Sequence, residues 1–224
     1  MNSDWATVFW KEWKEILLER SSGGSGLRPL IMVGLIGIFI PFRAGPERYF
    51  GHQIIFGLIV AALAGILAVV PDAFAGERER HTLETLLVSR LPDRSILLGK
   101  LAAGLGYGRL LSIITTVMGI ITVNAVNWNG HVQLSRSAAI WIGFILLPPL
   151  VGGAVASAGV FLSLRAATVR QAQQNLAFVI SGSVLAIGLG VPALPGNVKM
   201  WFAQTLAAWS AAVSRFQRSK LVLD

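Results

Sequence analysis

Few residues in this 224-residue chain could do covalent chemistry, and none stands at a spacing that makes a catalytic centre. His52, His81 and His131 are far apart and offer no metal-ligand pattern. The absence of cysteine removes disulfides and thiolate metal sites. No Ser-His or paired-carboxylate arrangement falls within the apolar runs. Gly99-Lys100 invites comparison with a phosphate loop. Such a loop needs Gly-x-x-x-x-Gly-Lys-Ser/Thr, so that backbone amides and a lysine can cradle phosphates. Here Leu101 follows the lysine and Arg94 occupies the place of the first glycine. No cofactor or metal is expected, and no ATP hydrolysis by this chain.

What remains is charge placed among apolar residues. Residues 76–100 form the only substantial hydrophilic region, between two long apolar runs. Glu77, Arg78, Glu79 and Arg80 alternate in sign. Leu83, Leu86 and Leu87 then make a short apolar stripe at helical spacing, and Leu91-Pro92 ends it. Asp93 is expected to cap the next helix, which leads through Ile96 to Lys100 and on into an apolar run. Water must hold this segment while lipid holds its neighbours. Its outer face is either a docking surface for a cytoplasmic partner or simply solvated, and the residues leave both readings open.

Three further features lie inside or beside the apolar runs. Arg109 falls nine residues beyond Lys100, about 13 Å along a helix axis. A charge there is costly in a bilayer. It either snorkels to the cytoplasmic side or lines a translocation path. Gly104-x-x-x-Gly108 beside it permits close helix contact. Pro148-Pro149 removes two backbone donors in mid-run and predicts a kinked or broken helix there, read equally as hinge or as packing. Asp72 after Pro71 is read as a cap or ion-pair partner at the cytoplasmic boundary.

The elements that must position these residues are set by composition. The chain is 54% apolar and 13% charged, about half the charge of an ordinary soluble domain. Lipid must solvate the surplus. Apolar runs fall at roughly 27–42, 53–75, 101–127, 138–164, 174–191 and 200–214. The last is the poorest, being interrupted by Gln204, Thr205 and Ser210. Before them, residues 4–20 form an amphipathic helix. At 100° per residue, Trp5, Ala6, Phe9, Trp13, Ile16 and Leu17 share one side, and Lys11, Glu12, Lys14, Glu15 and Glu19 the other. It is expected to lie in the lipid interface. Ser21 to Gly26 is a flexible connector. The expected fold is an all-α integral membrane protein, one transmembrane domain over 1–224, with six transmembrane helices after an N-terminal interfacial helix.

The net charge of +8 does not indicate nucleic acid, because the basic residues sit in the gaps between apolar runs. With six crossings and both termini in the cytoplasm, fourteen Lys and Arg lie inside and four outside, with Arg109 in a span. Losing the last crossing would make the split eleven to seven, a poorer fit to the positive-inside bias. Trp128, Trp141 and Trp201 then fall at the outer ends of spans, where aromatic belts form. The N-terminus carries no apolar signal region. The expected location is the cytoplasmic membrane, crossed several times.

The run Glu77-Arg-Glu-Arg-His-Thr-Leu-Glu-Thr-Leu-Leu87, followed by Leu97-Leu-Gly-Lys100, closely resembles the loop between the second and third spans of type-2 ABC export permeases. Val8-Phe-Trp-Lys-Glu-Trp-Lys-Glu-Ile-Leu17 looks like that family's N-terminal elbow helix, and Arg215-Phe-Gln-Arg-Ser-Lys-Leu221 like its basic tail. The resemblance covers essentially the whole chain and is most specific over 76–100. It implies an ABC exporter subunit that pairs with a second permease subunit and with cytoplasmic ATPase subunits. It also implies that Glu77, Arg78, Glu79, Thr82, Glu84 and Lys100 couple ATPase motion to the spans. The competing expectation is an ATP-independent secondary transporter, which usually wants intramembrane acids or broken helices in matched halves.

Overall fold

Apolar runs free of polar interruption become long helices, since lipid leaves backbone groups no partner but one another. The computed structural model describes residues 4–22, 27–79 and 92–190. Among these every regular element is helical. Helix α1 is Asp4–Ser22. Helix α2, Leu27–Gly34, passes through a π turn at Leu35–Phe39 into α3, Ile40–Arg48. The path turns at Gly45, whose φ of 72° is readily available only to glycine. A second π turn, Tyr49–Gln53, leads into α4, Ile54–Pro71. A third, Asp72–Gly76, leads into the single turn α5, Glu77–Glu79. Then come α6, Asp93–Val126, α7, Ala138–Ser163, and α8, Val169–Gly190.

Among the described residues three stretches are long and apolar enough to cross a bilayer: Ile54–Gly76, Arg94–Val126 and Ala138–Ser163. The run at 27–42 is divided between α2 and α3, and that at 174–191 falls in α8. The sixth run, the basic tail and Trp201 lie outside the described residues. Two local expectations are corrected. Helix α6 starts one residue earlier than a cap at Asp93 would have it. Pro92 holds the cap position, and its carbonyl accepts from Ser95 and Ile96. The break expected at Pro148-Pro149 does not occur: helix α7 runs continuously through both prolines, because neighbouring helices can satisfy carbonyls that proline releases.

Helix α4 is the centre of the bundle. It is apolar all round, as a helix with neighbours on every side must be. Its membrane-length window is 61% buried, against 33% for α6 and 28% for α7. Small residues set the contacts. A Cβ on Gly65 would come within 2.6 Å of the Gly108 Cα, and one on Gly108 within 2.7 Å of the Ala62 carbonyl, so α4 and α6 touch backbone to backbone. Ser112 Oγ adds a hydrogen bond to the Leu58 carbonyl at 2.9 Å. Gly152 and Gly159, two turns apart on α7, meet Ile66 and Val70 of α4.

These pairings also give direction. Leu58 meets Ser112 and Val70 meets Gly104, so α4 and α6 run antiparallel. Ile66 meets Gly152 and Val70 meets Gly159, so α4 and α7 run parallel. Val33 packs with Ala61 and Ile36 with Gly57, so the first run is antiparallel to α4. Successive long helices therefore reverse. Helix α5, the start of α6 at Pro92 and residues 164–168 lie at one end of the bundle, and residues 45–53 and 127–137 at the other.

Candidate functional site: a buried charge cluster at one end of the bundle

The end that carries α5 and the start of α6 also carries α1. Val8 and Trp5 of α1 sit on Gly99, Phe9 and Trp13 on Gly106, and Ile16 packs with Val69 and Ala103. The side facing the bundle is therefore Val8, Glu12 and Ile16. This corrects the sequence-based assignment of Glu12 to the watery side. Trp5, Ala6 and Leu17, assigned with the apolar face, are exposed.

Glu12 is drawn inward by Lys100, whose side chain is 1% exposed. Its ammonium has three protons and three acceptors. Nζ donates to Glu12 Oε1 at 2.9 Å, to the Ala73 carbonyl at 2.9 Å and to Glu77 Oε1 at 2.7 Å. The Phe74 ring centroid lies 5.7 Å away. The Glu77 amide donates to Phe74, three residues back, rather than to Ala73, which would be its partner in an α-helix. A buried ion costs several kcal/mol in lost hydration, and here two carboxylates and a carbonyl offset it. Lys11 stands at the rim, 3.2 Å from Glu15, 3.6 Å from Glu12 and 3.8 Å from Glu77. Partial burial pulls its pKa down, but the three carboxylates outweigh that and leave it above the ordinary lysine value.

A second polar junction adjoins the first. The Val169 amide, at the start of α8, donates to Glu79 Oε2 at 3.2 Å. A carboxylate at a helix N-terminus is favourable by about 0.3–1 kcal/mol. The same terminus carries a variant of the capping box: the Gln171 amide donates to Thr168 Oγ1, and Gln171 Oε1 accepts from the Ala167 amide. Ala75 of the third π turn packs with Ala166 and Ala172 beneath.

The predicted residues thus separate into groups. Glu77 and Lys100 share one cluster, Glu79 reaches α8, and Arg78 lies between the two acids in the same helical turn. Thr82 and Glu84 lie outside the described residues. Arg109 lies elsewhere, on the face of α6 toward α7, where its guanidinium donates to the Phe144 carbonyl one turn before Pro148. Pro149 follows in the same turn of α7. Sequence reasoning missed Glu12, because its partner is 88 residues away. It also missed the cap at α8, although Thr168-x-x-Gln171 spells it. Among the described residues no cluster of metal-ligating side chains occurs.

The bundle thus carries a buried ion cluster where α1, α5 and α6 meet the turn that follows α4. No curated protein and no solved structure matches the chain. The family model described as ABC-2 type transporter matches it over residues 3–207, nearly its full length. The chain therefore belongs to the ABC-2 type transporter family, as a membrane-embedded transmembrane subunit of an ABC transporter that associates with ABC ATPase subunits and is not itself catalytic.

Proposed function

We propose that this subunit exports its substrate across the cytoplasmic membrane, driven by ATP hydrolysed on separate cytoplasmic subunits, and that it works beside a second permease subunit. Both termini and the end holding Lys100 face the cytoplasm, and six helices cross the bilayer. Family membership favours this reading over the ATP-independent carrier.

Coupling runs through residues 76–100, by way of Glu77, Arg78, Glu79, Thr82, Glu84 and Lys100. One observation supports this above others. Lys100 joins α1, the end of α4 and α5 to α6 through three hydrogen bonds, and Glu79 beside it joins α8. A displacement of this segment is thereby delivered to four long helices together. Lys100, being buried, acts as an internal strut, and the exposed residues of the segment meet the ATPase.

Glu79→Lys tests the idea, because Glu79 is exposed and its loss leaves the Lys100 cluster intact. The variant is expected to reach the membrane at the wild-type level and to retain its ATPase partner. Substrate-stimulated ATP turnover of the reconstituted complex should fall by about tenfold, the scale of one charge-assisted contact. Turnover equal to wild type would remove Glu79 from the coupling path.

A further inference from the structure

Proline at position 148 has no N–H, so the Phe144 carbonyl, four residues earlier in α7, loses the donor a helix would give it. In a bilayer water cannot replace that donor, and an unmatched carbonyl is costly. Arg109 of α6 supplies one. Its Nη1 donates to the Phe144 carbonyl oxygen, and its Cζ lies 4.4 Å from the centroid of the Phe144 ring. One side chain thus answers both the polar defect and the aromatic face of a single residue.

We propose that Arg109 is a positioning residue that takes the place of the backbone donor missing at Pro148, and so locks α6 to α7 at the proline turn. Neither snorkelling nor contact with substrate requires the acceptor to be the one carbonyl that Pro148 deprives of its helical partner. The pairing explains why an arginine is tolerated about 13 Å past Lys100. It also helps α7 to continue through Pro148 without a break. Because one side chain supplies this hydrogen bond, the turn at Pro148 can change shape when Arg109 lets go. This reading is independent of how the ATPase couples.

The absence of cysteine allows a direct measurement on the full-length protein. Nitroxide labels at Ala139→Cys and Leu162→Cys bracket the prolines, about 35 Å apart along α7. Distance distributions and thermal midpoints are compared for the parent, Arg109→Met, Arg109→Lys, Pro148→Ala, and Arg109→Met with Pro148→Ala. Arg109→Met should broaden or shift the distribution by several ångströms and lower the midpoint by roughly 5 °C. In the Pro148→Ala background, where residue 148 regains an N–H, the same change should have little effect. Arg109→Lys, which keeps a donor, should resemble the parent. If Arg109→Met accumulates only when combined with Pro148→Ala, that is the same rescue. Equal effects of Arg109→Met in both backgrounds, or no effect in either, would overturn the proposal.

Discussion

Lys100 shows how one residue can organise an end of a membrane bundle. Its three protons are all taken, and each acceptor comes from a different piece of chain: Glu12 from α1, Ala73 from the third π turn and Glu77 from α5. Such a site tolerates poorly the loss of one partner, because the others remain buried with their charge uncompensated. Lys100→Met is therefore expected to destabilise the protein by roughly 3–5 kcal/mol. Adding Glu12→Gln and Glu77→Gln should recover most of that loss. Unfolding midpoints in detergent check both. If the triple variant is no better than Lys100→Met, the cost does not come from stranded carboxylates.

At the scale of elements, the contacts are set by where side chains are missing. Gly99 and Gly106 make room for α1 on α6, while Gly104 and Gly108 open α6 toward α4. Glycine lowers helix propensity, so its repeated use here marks close approach. Two substitutions separate these effects. Gly108→Leu drives a side chain into the Ala62 carbonyl and is expected to cost about 1–3 kcal/mol. Gly34→Ala meets nothing within 4 Å and should stabilise α2 by roughly 0.5–1 kcal/mol through propensity alone. Thermal midpoints moving in opposite directions would bear this out, whereas gains in both would show that propensity, not contact, governs α6.

Over the whole molecule, burial is lopsided. Helix α4 is enclosed, whereas α6 turns Ile113, Ile114, Val117 and Ile121 outward, α7 turns Ile142, Ile145 and Leu146, and α8 turns Phe178. These faces suit lipid or a second permease subunit. The serpentine of long helices places α5, the start of α6 and residues 164–168 at one end and 127–137 at the other, so the topology can be tested by sidedness. Single cysteines replacing Arg90, Lys220 and Val132 should be labelled by an impermeant thiol reagent from the cytoplasm, the cytoplasm and the outside respectively. Labelling of position 220 from the Val132 side would leave an odd number of crossings after the third π turn.

The amino-acid sequence by itself determined the class of the protein. A chain this apolar, with its few charges gathered between runs of membrane length, has to be a helical membrane protein, because lipid permits little else. The run from Glu77 to Lys100 marked the end where its polar residues gather, since charge of both signs cannot stay in hydrocarbon. Only the tertiary structure decided which charges meet. Helical periodicity placed Glu12 with Lys11 and Glu15 in water, but a buried ammonium contributed by a residue 88 positions away draws it inward. Periodicity sees one helix at a time, and the cost of burying an ion is felt only when helices assemble. The same holds for Pro148, which reads as a break in one helix and becomes a continuous turn once Arg109 of another supplies the missing donor.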